Sequence, residues 1–203
     1  MSSLSRIFIP DYDHKRFNEI ADANPQYRMS LIEGRLEISM PVSAYTGQRQ
    51  ARIIMQVGIW RAANSDLVGH FGSCMGDFTL SNSDILSPDA SIVLSPRFSN
   101  VINIWYALSD VDRNKANPPV APNYIVELRS ENYSPQEVHR KMLRWINGGE
   151  GVSIDPFTNP PKARIYTYDA VVNGVVWQEL LNPQMIASQV LTGFVMNIRE
   201  ILQ

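Results

Sequence analysis

The sequence predicts an α/β protein in which a strand–helix–strand crossover lies beside a largely antiparallel meander. Three observations lead to this prediction: an apolar strand at 124–128, a strongly capped helix after Ser134, and an Asn-Gly pair at 173–174 between two β-like runs. A strand, a helix and a second strand within about 30 residues are typical of a βαβ unit. Asn-Gly is a strong signal for a hairpin turn.

The composition favours one compact domain. The chain has 203 residues, 44% of them hydrophobic and 19% charged, which are ordinary globular values that argue against a disordered chain. We divide the single domain into an N-terminal helix and hairpin (1–46), a core (47–160) and a C-terminal β-hairpin and tail (161–203). The net charge of -2 excludes a histone-like polycation but allows local patches that bind phosphate.

The sequence also indicates the cellular compartment in which the protein works. Cys74 is the only cysteine, so neither an internal disulfide nor a multi-thiolate zinc site can form, and a reducing compartment is the natural setting. No apolar run approaches the roughly 20 residues that span a bilayer. We therefore expect a cytoplasmic protein with no membrane partner, and the sequence leaves a homodimer open.

The N-terminal half shows three periodic segments. Residues 11–23 have the spacing of a short amphipathic helix, and residues 29–40 alternate like a hairpin that turns at Glu33-Gly34. Residues 47–63 have one apolar helical face. Short strands follow at 67–71, 76–80 and 88–94, and residues 97–121 form a loop-like connector that could contain a short helix.

The helix after 124–128 has the clearest start in the chain. Ser134 and Glu137 form a capping box with Pro135 at the first helical position. The apolar stripe of this helix, made of Val138, Met142, Trp145 and Ile146, should face the core, and Gly148-Gly149 should end the helix. Strand-like runs at 164–172 and 175–180 then flank the Asn-Gly turn.

Two carboxylates stand out because they occur in apolar strands. Glu127 lies in the middle of 124–128 and should share a strand face with Arg129. A buried carboxylate must be paired or must bind a metal, so one interpretation is a structural ion pair between these two residues. Asp89 follows Pro88 and could simply form a turn. If both acids lie on adjacent strands, they suit Mg²⁺ or Mn²⁺.

Lys141 lies on the capped helix next to Met142, near the seam between helix and sheet. Its long side chain could bring an ammonium group beside the two carboxylates. The alternative is a solvated pair with Glu137, four residues earlier on the same helix. The sequence alone favours this alternative.

Several segments resemble one family of nucleases. The runs PNYIVELRS and HRKMLRWINGGEGVSIDP, together with LIEGRLEISMP, TGQRQ, SPDAS and WYAL, occur in the order expected for the Uma-two family of restriction endonucleases. This family is a branch of the PD-(D/E)XK nuclease superfamily. The resemblance covers nearly the whole chain and implies a PD-(D/E)XK core, with a mixed, mostly antiparallel sheet flanked by helices. It also implies metal-dependent cleavage of DNA.

The resemblance further implies a set of site residues. Asp89 and Glu127 match the metal-binding acids of the superfamily, with the backbone carbonyl of Leu128 as a further ligand for Mg²⁺ or Mn²⁺. Lys141 matches a lysine that has moved from the strand to the following helix, where it would orient the attacking water. Arg129 takes the usual lysine position. Because arginine does not readily release a proton, it is better suited to clamp a phosphate.

Nucleic-acid phosphates could be held by Arg49, Arg52, Arg140 and Arg144, with strong salt dependence. For each arginine taken alone, a solvated surface charge is the interpretation that the sequence favours. Glu33 could serve as an accessory acid near the metal, but a simple turn residue is the more natural interpretation.

The chain also departs from the family pattern. Ser30 replaces a glutamate, Tyr45 and Thr46 stand where an acid or histidine is common, and Asn123 replaces an aspartate. Lost acids in the outer shell of a metal site weaken metal binding by about 10 to 100-fold. The alternative to an enzyme is therefore a catalytically inactive nucleic-acid-binding or interaction module. A hydrolase of small phosphoesters is a third possibility.

Overall fold

A computed structural model describes residues 6–74, 76–109, 117–147 and 149–203. Within these ranges the strands are β1 (Arg6–Ile9), β2 (Arg28–Ile32), β3 (Arg35–Ser39), β4 (Val68–Ser73), β5 (Phe78–Thr79), β6 (Ile85–Leu86), β7 (Ala90–Leu94), β8 (Tyr124–Leu128), β9 (Glu150–Asp155), β10 (Lys162–Asp169), β11 (Gly174–Leu181), β12 (Met185–Ala187) and β13 (Val195–Asn197). The helices are α1 (His14–Ala23), α2 (Ala44–Ala63), α3 (Ser95–Tyr106), α4 (Pro135–Trp145) and α5 (Ile198–Leu202).

The main sheet has six strands in the order β11-β10-β9-β8-β7-β4. Its neighbours pair antiparallel except β8 and β9, which run parallel. A parallel pair needs a crossover, and α4 supplies it between these two strands. The predicted α/β class with a mixed, mostly antiparallel sheet is therefore confirmed.

Helices α2 and α4 cover opposite faces of the main sheet. Ile53 and Val57 of α2 pack with Tyr124 and Val126, whereas the apolar stripe of α4 packs with Ile125. Side chains alternate along a strand, so Glu127 points to the α4 face. All five residues of β8 are buried, as expected for a central strand that is covered on both sides.

A second sheet has five strands in the order β1-β3-β2-β6-β5 and contains the predicted hairpin. Glu33 and Gly34 form its turn with φ values of 53° and 70°, the left-handed conformation that type I′ turns require. The chain leaves this sheet at β6 and returns at β7 to the main sheet, which it first joined at β4. The linker Ser87-Pro88-Asp89 therefore lies where the two sheets meet.

Several boundaries differ from the predictions. Helix α2 begins at Ala44 because Ser43 caps it, and α4 ends at Trp145, while the predicted stop at Gly148 lies outside the described residues. Helix α3 occupies part of the loop-like connector. The C-terminal hairpin is present, but its turn spans residues 170–173 rather than Asn-Gly alone. Among the described residues, no helix is long and apolar enough to cross a membrane.

Candidate active site at the junction of the two sheets

The two predicted acids lie beside each other at this junction. Asp89 directly precedes β7, and β7 pairs with β8 in a register that places Ala90 opposite Val126, one residue before Glu127. Both residues are buried, with 1% of the whole Asp89 residue and 5% of the whole Glu127 residue exposed. The negative charge of Asp89 contributes to the raised pKa of Glu127, so the two carboxylates interact electrostatically.

Asp89 accepts three hydrogen bonds from three different elements. Its Oδ2 accepts from the backbone N–H of Leu128 at 2.7 Å. Its Oδ1 accepts from Nη1 of Arg28 and from Nε2 of Gln50, each at 2.9 Å. Asp89 is therefore a structural junction between β2, α2 and β8, rather than a turn residue alone.

Glu127 is bound by two residues of α4. Its Oε1 lies 2.7 Å from Nζ of Lys141 and accepts a hydrogen bond from Nε1 of Trp145 at 2.9 Å. The two donors are four positions apart, so they project from one face of the helix. Lys141 does not pair with Glu137, because Glu137 completes the Ser134 capping box.

The backbone carbonyl of Ser87 accepts hydrogen bonds from two basic side chains of the site. It accepts from Nη2 of Arg28 at 2.6 Å and from Nζ of Lys141 at 2.8 Å. The hydroxyl of Ser87 donates to Asp77, whose pKa is raised by burial. The site thus contains three carboxylates and two basic groups that act on one another.

Burial and charge shift the pKa values of these groups. Burial raises the pKa of Glu127, and Asp89 acts in the same direction, whereas Lys141 and Arg28 oppose the rise. Burial alone would lower the pKa of Arg28, but Asp89 and Glu127 raise it above its ordinary value. Arg28 therefore remains a cation in the site, while Glu127 is easier to protonate than an exposed glutamate.

The site opens to the surface through two adjoining depressions. A small cleft of about 40 Å³ lies against Arg28, Gln50, Glu127 and Leu128. A cavity of about 500 Å³ adjoins it, since Tyr133 and Lys141 line both. The residues that line the larger cavity also include Phe8, Arg6, Arg35, Arg140 and Arg144, together with Glu33, Glu37 and Glu137. Glu127 therefore lies at a cleft that adjoins a cavity rich in basic side chains, with Asp89 buried behind the cleft-lining Arg28 and Gln50.

The donor set is compatible with a divalent cation. Oε2 of Glu127 accepts no hydrogen bond from the described residues, and Oδ2 of Asp89 accepts only one. The N–H and carbonyl of one strand residue point to the same edge, so the Leu128 carbonyl lies on the Asp89 side of β8. Hard oxygen donors of this kind suit Mg²⁺ or Mn²⁺. Groups of three or more His, Cys, Asp or Glu side chains that could hold a metal are absent from the described ranges.

Arg129 does not contact Asp89 or Glu127. It follows the last residue of β8, its Nε lies 2.7 Å from Oδ1 of Asp155, and its guanidinium stacks over Phe157. It lines a separate cavity of about 110 Å³. The predicted alternative of a Glu127–Arg129 ion pair is therefore wrong, because Lys141 pairs with Glu127 and Asp155 pairs with Arg129.

Glu33 and Arg144 pair with each other at the rim of the larger cavity. The Glu33 side chain is 72% exposed, and Arg144 also pairs with the buried Asp84. Neither residue contacts Asp89 or Glu127. Glu33 therefore has the position of a turn residue. The guanidinium of Arg144, a predicted phosphate contact, is engaged in two ion pairs instead.

The remaining predicted phosphate contacts divide into two groups. Arg49 is buried, stacks on Tyr45 and donates to the carbonyl of Leu202 at 3.4 Å, so it ties α2 to α5. Arg52 is half-buried, with an enclosed Nη1 that has no partner in the described part of the chain. Arg140 is exposed at the larger cavity and has no ion pair with a described residue. Of the four arginines, Arg140 is the one available at the candidate site.

Three of the four positions where the chain departs from the family pattern, those other than Ser30, have structural partners. Thr46 donates to Oε2 of Glu131 at 2.9 Å, and the side-chain oxygen of Asn123 accepts from the N–H of Leu94 at 2.9 Å. Tyr45 donates to the carbonyl of Gln203 at 3.1 Å. These residues therefore stabilise elements around the site rather than supplying ligands to it.

Sequence analysis missed several residues of the site, of which Trp145, Arg28 and Gln50 contact the two acids. Trp145 was assigned to the core stripe, yet its position four residues after Lys141 would have indicated that both face Glu127. Arg28, Gln50 and Asp77 lie far from Asp89 in the chain, and no local pattern links them. The network of Tyr133, which donates to Glu37 at 2.8 Å, was also missed.

The mixed sheet, its βαβ crossover and the adjoining acids define a protein of the restriction-endonuclease-like fold class. The sequence profile of the Uma2 family, described as "Putative restriction endonuclease", matches residues 14–199. The chain therefore belongs to the Uma2 family. A crystal structure of "a putative nuclease belonging to DUF820" from Anabaena variabilis ATCC 29413 is similar, with a TM-score of 0.63 and 16% identity. The match covers 86% of this chain and 89% of the other. A comparison with curated proteins gives no match.

Proposed function

We propose that the protein is a metal-dependent endonuclease that hydrolyses phosphodiester bonds in DNA. The observation that carries the proposal is the convergence of Asp89, Glu127 and Lys141 beside a cleft that Glu127 and Lys141 line. These residues come from three different elements, and the chain buries two carboxylates to bring them together. Burying charge is costly unless the groups are paired or bind a cation. Arg28 and Lys141 offset part of this cost, and a metal site is a function that requires two carboxylates side by side at this point.

In this proposal the carboxylates of Asp89 and Glu127, with the carbonyl of Leu128, hold Mg²⁺ or Mn²⁺. The cation, when bound, supplies Lewis acidity and lowers the pKa of water. Lys141 contributes a fixed positive charge, because its Nζ is held between Oε1 of Glu127 and the carbonyl of Ser87. A preorganised ammonium group can orient the attacking water and stabilise the charge that develops on the phosphate.

The larger cavity is the proposed entry for the DNA backbone. Arg35 and Arg140 are exposed there, and Phe8 lies beneath the guanidinium of Arg35, with 4.8 Å between the guanidinium carbon and the ring centroid. Basic side chains beside an accessible aromatic ring suit phosphates and bases. Arg129 is not part of this proposal, because it lines a different cavity. A cytoplasmic location remains a proposal that rests on the single free cysteine.

The experiment that tests the proposal is nicking of supercoiled plasmid in the presence of MnCl₂. We expect Asp89→Asn and Glu127→Gln to reduce nicking by at least about 100-fold, while thermal unfolding stays cooperative. Glu179→Gln is the matched control, because Glu179 pairs with Lys162 and Arg164 on the surface, away from the cleft. Nicking by both site variants at the wild-type rate would refute the assignment.

A second candidate function is favoured by the ion pairs themselves. Arg28 pairs with Asp89 and Lys141 pairs with Glu127, so the two acids are neutralised without a metal. A catalytically inactive DNA-binding module with this fold would show the same pairs. Calorimetric titration with MnCl₂ separates the two functions: DNA binding without detectable Mn²⁺ binding would favour the inactive module.

A further inference from the structure

Arg28 is the residue that competes most directly for the Asp89 carboxylate. Its Nη1 donates to Oδ1 of Asp89 at 2.9 Å, and the exposed fractions of the two side chains are 24% and 1%. Oδ1 also accepts from Gln50. A carboxylate oxygen has about two lone-pair sites, so Oδ1 has no free site for a metal while Arg28 stays in place. The guanidinium therefore blocks one of the two oxygens through which Asp89 could bind a cation, while Oδ2 accepts only the N–H of Leu128.

The charges around Arg28 set the cost of adding a cation. Asp89 pairs with it, the carboxylates of Glu127 and Asp77 interact with it electrostatically, and Lys141 is the second basic group. Both basic groups donate to the Ser87 carbonyl, so they lie close together. A divalent cation would bring further positive charge to this point. An entering phosphate would offset that charge, and Arg28 lines the cleft through which it would enter.

We propose that Arg28 is a displaceable counter-cation of the site. It holds Asp89 while no metal is bound and transfers to a nucleic-acid phosphate when DNA enters, so metal and DNA each raise the affinity for the other. Arginine suits this exchange because one guanidinium fork pairs with either a carboxylate or a phosphate. Such coupling is reciprocal between the two ligands. The inference rests on the proposed function, since it requires a metal at Asp89.

Calorimetric titration of MnCl₂ into the wild-type chain and two Arg28 variants tests the inference without measuring activity. Arg28→Gln removes the charge but keeps a hydrogen-bond donor, and we expect it to bind Mn²⁺ at least about tenfold more tightly, equal to about 1.4 kcal/mol. Arg28→Lys keeps the charge and should bind like the wild type. Arg164→Gln is the matched control, because this arginine pairs with Glu179 away from the cleft.

A second measurement uses the wild-type chain and does not depend on the folding of a variant. We expect a short phosphorothioate duplex, which keeps the backbone charge, to raise the Mn²⁺ affinity by at least about tenfold. The duplex should have a smaller effect on Arg28→Gln, in which the counter-cation is already absent. In thermal unfolding, Mn²⁺ should stabilise Arg28→Gln more than it stabilises the wild type.

The outcomes separate the two proposals. If Mn²⁺ binds the wild type and Arg28→Gln equally, or binds the wild type equally with and without duplex, the counter-cation inference is overturned and the metal site stands. If Mn²⁺ binds none of the variants under either condition, the metal site and the inference both fail.

Discussion

The ammonium group of Lys141 lies 2.7 Å from Oε1 of Glu127, with 13% and 7% of the two side chains exposed. The pair forms because β8 leads into α4, whose capped first turn directs Lys141 back over the strand. Trp145, one helical turn later, donates to the same oxygen. The βαβ crossover thus positions the acid and its two donors within one local unit of the chain.

A double-mutant cycle should show that Lys141 and Glu127 depend on each other. We expect Lys141→Met to lower the free energy of unfolding by about 3–5 kcal/mol, because it leaves a buried carboxylate without its cation. In the Glu127→Gln background the same change should cost about 1–3 kcal/mol less. Urea denaturation measures both values. Equal costs in the two backgrounds would show that the ion pair does not stabilise the fold.

Arg140 should contribute to DNA affinity in a salt-dependent way. Arg140→Gln should weaken DNA binding and reduce the magnitude of the slope of log K against log salt by about 1, as expected for one lost phosphate contact. Fluorescence anisotropy over a range of NaCl concentrations measures the slope. Arg61→Gln is the control, because Arg61 is also exposed but does not line the cavity. Identical slopes for the two variants would remove Arg140 from the proposed DNA path.

Arg129 should matter for stability rather than for metal binding. Arg129→Gln loses the ion pair with Asp155, the hydrogen bond from Nη1 to the carbonyl of Tyr133 and the stacking on Phe157, and a hydrogen bond from a charged group contributes about 1.5–3 kcal/mol. We therefore expect a lower free energy of unfolding with an unchanged Mn²⁺ affinity, measured by urea denaturation and calorimetry. A loss of Mn²⁺ affinity as large as that of Glu127→Gln would instead connect Arg129 to the site.

His70 should make the fold sensitive to acid. Its ring packs against Phe78 and Phe98 at centroid distances of 5.6 Å and 5.9 Å, and burial lowers the pKa of His70. The unfolded chain therefore takes up a proton more readily than the folded chain. Stability from this residue is fully present above about pH 6.5 and decreases as the pH falls below that value.

His70→Phe tests this pH dependence because phenylalanine retains the ring contacts and does not titrate. Between about pH 7 and pH 5 we expect the free energy of unfolding to fall less for His70→Phe than for the wild type. The pKa of His139 is also lowered, so the difference between the two proteins isolates His70. Parallel pH profiles would exclude a contribution from His70.

Local patterns predicted the elements whose signals lie within a few residues. The Ser134–Glu137 capping box, the Glu33-Gly34 turn and the alternation of β8 depend on hydrogen bonds and side-chain directions between near neighbours. The corresponding elements are all present. Helix boundaries were less accurate where a single cap residue decided them, as at Ser43. The strand β1 was missed, and its four residues are only half-buried or exposed, so it has no clearly buried face.

By itself, the sequence determined the βαβ unit, the hairpins and the two acids in or next to apolar strands, since each follows from residues that are close in the chain. Only the tertiary structure decided which cations meet those acids. Arg28 reaches Asp89 from the other sheet, Gln50 reaches it from α2, and Arg129 turns instead to Asp155. Such partners depend on how distant segments pack, and a carboxylate must be satisfied by whichever donors that packing brings to it.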